Sequence, residues 1–147
     1  MRGQHGSTLL ELVAILAISA VLCAVAVPGV AAVRSVFAAD AAAERLALVL
    51  RVAQATAQAN GSAVRVSVAG DGSYSVCEVG PSGTDAVTRG ELGAEVTANY
   101  PQGTVEFVAA GWPVLPGGAS PRAGHFTVGR AAARVVVVQL GGCVRCT

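Results

Sequence analysis

From Leu12 to Val33 the chain runs 22 residues without a charge, and this constrains its folding more than any other feature. About 20 apolar residues cross a bilayer as a helix, the form in which a lone segment satisfies all its backbone groups inside lipid. Glu11 stands immediately before the run, and ahead of it lies the short segment MRGQHG with Arg2 and His5. Basic residues before an apolar segment favour a cytoplasmic start, which places the chain beyond Val33 outside. A carboxylate at membrane depth costs several kcal/mol when unpaired. The residues alone leave three explanations open. The run is a secretory signal peptide, with Ala24–Val25–Ala26 as a small-x-small cleavage site before Val27. It is a plain anchor, with Glu11 among the headgroups. Or Glu11 is buried and has a partner.

The segment Gly6-Ser7-Thr8-Leu9-Leu10-Glu11-Leu12 resembles the prepilin motif of type IV pilins and type II secretion pseudopilins. The resemblance implies cleavage between Gly6 and Ser7 by a prepilin peptidase, with methylation of the new amino terminus. Glu11 then becomes the fifth mature residue, and Pro28 falls where the family commonly carries a proline in its first helix. The family's usual first mature residue is phenylalanine; here it is Ser7. The motif gives Glu11 a physical role in assembly. Cleavage creates a cationic amine at a helix N-terminus, where negative charge is favoured, and Glu11 of one subunit can meet the Ser7 amine of its neighbour. The resemblance implies other pilin or pseudopilin subunits, the prepilin peptidase and, before assembly, inner-membrane lipid as partners.

Beyond Pro28-Gly29, which loosen a helix rather than end it, the apolar pattern resumes. Val36, Ala39, Ala43, Leu46, Leu50, Ala53 and Ala57 recur at spacings of three and four, while Asp40, Glu44, Arg51, Gln54 and Gln58 take other faces. Asn60-Gly61 supplies a stop. The expectation is one helix of about 50 residues, membrane-embedded over 7–33 and amphipathic over 34–60, followed by a β-rich domain over 61–147. There the period becomes two: Val64, Val66 and Val68 form a strand, Gly70-Asp71-Gly72 a turn, and SYSVCEV a second strand. The stretch from Gly80 to Gly90 reads as a loop. Further strands are expected near 94–98, 104–109, 125–128 and 134–140, with 111–124 as loop because of Pro113, Pro116 and Pro121. RVVVVQL reads as a central strand, apolar on both faces. The predicted class is α+β, a long helix packed on an antiparallel sheet. With 53% hydrophobic and only 4% aromatic residues, valine and alanine must fill its core.

The order of elements resembles the H-type pseudopilin branch, the GspH/FimT family. Val105-Glu106-Phe107 with Gly111 is similar to its strand-then-glycine segment, and Val135 to Gly142 with Cys-Val-Arg-Cys to its last strand and tail. The function so implied is a minor pseudopilin of the type II secretion pseudopilus, in the inner membrane with a periplasmic domain. The alternative is a type IV minor pilin that binds DNA during transformation. Some relatives contact DNA through a Gly-Arg-x-Arg tail. Here Gly142-Cys143-Val144-Arg145 replaces one arginine by cysteine. No acid follows Glu106, so Arg130, Arg134 and Arg145 are the candidate phosphate contacts.

No catalytic constellation is legible, and no cofactor is implied. His5 and His125 are far apart, no GxSxG is present, and GDGSYS joins strand to strand, so it is a turn and no phosphate cradle. Cys77, Cys143 and Cys146 are disulfide candidates for an exported domain, with connectivity open. A zinc site would need Cys77 and His125 beside the CxxC, and none is expected. Trp112 is a loop residue packing over the sheet or an interface anchor.

Overall fold

Seven residues in steps of three and four were the basis for one long helix, and a single helix, α1, runs from Leu9 to Asn60. The computed structural model describes the backbone of residues 9–80, 83–130 and 133–147, and within these the side chains outside 25–28, 31–32 and 83–87. The helix continues through Pro28-Gly29, and Gly61 ends it with a positive φ of 65°, where a Cβ would be strained. The contacts divide into two units at Arg34, which are described separately.

In the first unit the helix presents Leu9, Leu10, Leu12, Val13, Ile15, Leu16, Ile18, Val21 and Leu22, each more than half exposed. The second unit is built around α1 from Ser35 onward. Ala39, Ala43, Leu46, Leu50, Ala53 and Ala57 are buried, whereas Val36, expected on the same stripe, is partly exposed.

Among the described residues nine strands follow: β1 (Ala63–Val68), β2 (Ser73–Gly80), β3 (Gly83–Glu91), β4 (Val96–Ala98), β5 (Thr104–Phe107), β6 (Pro113–Val114), β7 (Gly124–Val128), β8 (Arg134–Val138) and β9 (Val144–Cys146). They form two antiparallel sheets rather than one, in the orders β3-β2-β1-β5-β6 and β4-β7-β8-β9. The buried stripe of α1 joins Val64, Val66, Val105 and Phe107 of the first sheet to Phe126, Val128, Val136 and Val138 of the second in one core. Valine and alanine fill most of it. Alanine's small side chain lets the helix approach the sheets closely.

Three expectations need correction. The stretch 80–90 is not a loop, because Gly83–Glu91 pairs with β2 along nearly its whole length, across a register shift at Val76/Cys77. Within 111–124, Pro113–Val114 pairs with β5, proline being tolerated on this edge strand. β8 does lie between two neighbours, but its burial alternates: Val136 and Val138 are buried, Val135 and Val137 only partly. Its second face is therefore open to solvent.

The turn into β5 packs tightly. Tyr100 stacks tilted on Phe126, with ring centroids 5.4 Å apart, and its hydroxyl donates to the Arg122 carbonyl oxygen at 3.1 Å. Gly124 lies under the same ring, so closely that a Cβ would come within 2.3 Å of it. Burial pushes the Tyr100 hydroxyl up to about 12, the nearby Arg122 charge opposing that shift. A folded pKa above the unfolded 10.0 means this contribution is fully present below pH 10 and lost as pH rises toward 12. Tyr100→Phe is expected to cost about 1 kcal/mol at neutral pH through the lost hydrogen bond. It should also flatten the fall in stability between pH 10 and 12, as read from urea midpoints.

Candidate functional site

Glu11 lies in the first turn of α1, at the start of the exposed apolar helix. Gly6 and Ser7, the expected cleavage pair, lie outside the described residues, and so does the side chain of Pro28. Among the described residues no helix is long and apolar enough to cross a membrane. The expected span 7–33 includes residues 7–8, 25–28 and 31–32, which fall wholly or in their side chains outside that description.

The second half of α1 shows what periodicity missed. Its polar residues are not a solvated face but the helix's grip on the β domain. Asp40 pairs with Arg134 at the start of β8, through two hydrogen bonds, one of them 3.2 Å long. The Arg134 hydrogen bond holds the Asp40 carboxyl below the usual carboxylate range, and Asp40 raises Arg134 in return. Arg51 donates to the Val144 carbonyl oxygen on β9 at 3.0 Å. Gln54 donates to the Gly111 carbonyl oxygen at 2.8 Å.

Two glycine turns meet these glutamines. The turn after β5 carries Gly111 at φ 82°, and the β8–β9 hairpin carries Gly142 at φ 81°. A Cβ on Gly111 would come within 2.1 Å of the Gln58 amide. A Cβ on Gly142 would come within 2.1 Å of the Gln54 amide and 2.3 Å of the Gly111 oxygen. One turn belongs to each sheet, so Gln54 sits where the two sheets touch the helix. The sequence segments that carried the family resemblance are β5 with Gly111 and β8 through β9. Their convergence on α1 was invisible in sequence, for Gln54 and Gly111 are 57 residues apart.

The three candidate DNA-contacting arginines differ in their surroundings. Arg130 pairs with Glu95, and Arg134 with Asp40. Among the described residues no salt bridge engages Arg145, which is exposed on β9. A third pair, Arg65 with Glu106, crosses from β1 to β5. Both the Nε and an Nη of Arg65 donate to one carboxylate oxygen, at 3.1 and 3.0 Å. That pair explains why Glu106, the last acid in the sequence, is buried.

All four cysteines have free thiols. Cys143 and Cys146 lie along the extended arm of the β8–β9 hairpin, whose ladder begins with Gln139 donating to the Cys143 carbonyl oxygen. At ~3.3 Å per residue their Cα atoms are about 10 Å apart, beyond the ~7 Å a disulfide tolerates. Cys77 stands in the other sheet, opposite Arg65. No cluster of three or more potential metal ligands forms among the described residues. Trp112 is half exposed in the β5–β6 turn.

Two solved structures share this fold. The type IV minor pilin FimU of Pseudomonas aeruginosa superposes with a TM-score of 0.61 at 17% identity, over 74% of this chain and 87% of that one. The minor pseudopilin EpsH from the type 2 secretion system of Vibrio cholerae does so with a TM-score of 0.59 at 12% identity, over 74% of this chain and 95% of that one. No curated protein matches the sequence. The model of the family described as Type II transport protein GspH matches residues 42–142, from the buried stripe of α1 to the hairpin glycine against Gln54, and the chain belongs to that family.

Proposed function

We propose that this chain is a minor pseudopilin, a structural subunit of the type II secretion pseudopilus that serves protein export across the outer membrane. Prepilin peptidase cuts it between Gly6 and Ser7 and methylates Ser7. Residues 7–33 hold it in the inner membrane before assembly, with the β domain on the periplasmic side. It then joins other pseudopilins through α1. The work is mechanical, and no catalytic step is assigned to it.

One observation carries the proposal beyond family membership. From Leu9 to Leu22 the helix exposes large apolar side chains at nine of fourteen positions, with Glu11 among them. Such a surface is not stable in water and needs lipid or neighbouring helices. The family resemblance supplies the assembly contact, from Glu11 to the amine made by cleavage at Gly6 on a neighbouring subunit.

The test is the intact mass of the full chain, produced with a prepilin peptidase and recovered from membranes. A chain starting at N-methylated Ser7 is expected. A chain starting at Val27 would instead mean a cleaved signal peptide, and an unprocessed Met1 a plain anchor.

A further inference from the structure

A cleft of about 490 Å³ opens between α1 and β9. Glu44, Ala47 and Arg51 of the helix line it, with Arg145 and Cys146 of the strand. The helix residues follow at spacings of three and four, along one face. Arg51 donates to the Val144 carbonyl oxygen at 3.0 Å. That bond uses one of the guanidinium's N–H donors and fixes where its charge sits.

The positive charge of this cleft is not balanced within the fold. Arg130 and Arg134 are neutralised by Glu95 and Asp40. Among the described residues no salt bridge engages Arg51 or Arg145. Glu44 lines the same cleft, but stands about 10 Å from Arg51 along the helix axis. Two like charges thus share one cleft, an arrangement that an anion between them relieves.

We propose that the cleft binds a carboxylate side chain of a neighbouring, different subunit. A guanidinium meets a carboxylate through parallel N–H donors, and two of them give that carboxylate a fixed seat. Glu44 decides between anions. A nucleic-acid backbone carries a charge at every phosphate, and Glu44 would repel the next one along. A protein segment with an Asp or Glu, and a Lys or Arg about 10 Å further on, two helical turns, complements all three charges. The choice of a subunit as its owner rests on the role proposed above, because α1, the helix assigned to assembly, forms one wall. The attraction for a carboxylate does not depend on that role.

Cys146 reports on the cleft from within the unaltered full-length chain in detergent. Iodoacetate and iodoacetamide alkylate the same thiolate sulfur with loss of iodide, and only the first carries a carboxylate. Their rate ratio therefore cancels the thiol's own reactivity and reads the pull on a carboxylate. Cys143, exposed on the same hairpin arm but not lining the cleft, is the reference. The ratio at Cys146 should exceed that at Cys143 about fivefold, the worth of one charge pair at contact in water. It should fall to the Cys143 value in Arg145→Gln and at about 1 M salt, and persist in Arg145→Lys. Arg145 is exposed, so both variants keep the fold. Equal ratios at the two cysteines would overturn the cleft, whatever the subunit does. In sheared filaments Cys146 should be shielded from iodoacetate relative to the chain still in the membrane. Equal labelling in the two fractions would overturn the partner and leave the subunit role intact. Shielding of the purified chain by a duplex oligonucleotide at physiological salt would also overturn it, the anion then being phosphate. Absence of the chain from filaments would remove the subunit role and the partner together.

Discussion

Glu11→Ala should leave maturation intact and reduce incorporation into filaments at least tenfold. In the proposed maturation, cleavage reads the glycine side of the motif, whereas Glu11 acts after the cut. In lipid a carboxylate at the start of an apolar helix is unfavourable by several kcal/mol unless paired. In the proposed assembly the neighbour's amine pairs with it once the subunits are in register. The free-energy gain on assembly is therefore conditional on the charge. Losing as little as 1.4 kcal/mol of it would change the incorporation equilibrium tenfold. Alanine removes the gain in the filament, so the monomer should accumulate in the membrane, processed and stable. Glu11→Gln keeps the shape and hydrogen-bonding length without the charge, and should fail similarly. Immunoblots of sheared filaments against the membrane fraction provide the readout. Incorporation of Glu11→Gln at the native level would show that shape and not charge is read, and normal incorporation of Glu11→Ala would remove the pairing account.

What the sequence disclosed about this fold follows the range of the interactions involved. The helix was legible because its signal is local: a stripe at three-four spacing, and Asn60-Gly61 at the end, where Gly61 takes its positive φ. The first hairpin was legible for the same reason, Val64, Val66 and Val68 alternating up to a glycine turn. The strand Gly83–Glu91 was not, since it lacks alternation and exists because β2 offers it a ladder. The division into two sheets was equally hidden. It depends on β4 pairing with β7 rather than with β3, a choice made across 28 residues of chain from Ala98 to Phe126. The arginines show the same limit. Arg130 and Arg134 looked like free charge, because their carboxylates come from Glu95 and Asp40, 35 and 94 residues away.

The glutamine contacts yield the second large effect. Gly142→Ala is expected to destabilise the β domain by about 3 kcal/mol, lowering the melting temperature by roughly 10 °C. Two causes add. The residue sits at φ 81°, where a Cβ costs about 1–2 kcal/mol. The Cβ would also lie 2.3 Å from the Gly111 oxygen and 2.1 Å from the Gln54 amide. Backbone cannot yield as a flexible side chain can, so the hairpin must lift away from the turn after β5. That separation opens the core and weakens the Gln54 to Gly111 hydrogen bond, itself about 1 kcal/mol. Gly141→Ala is the control, for nothing lies within 4 Å of its Cβ position, and it should change stability by less than about 0.5 kcal/mol. Gln54→Ala removes one of the two obstructions. In the Gly142→Ala background it should therefore cost less than it does alone, a coupling that double-mutant thermal denaturation in detergent would register. Additive losses would mean that the glycine serves its turn alone and that Gln54 does not hold the two sheets to the helix.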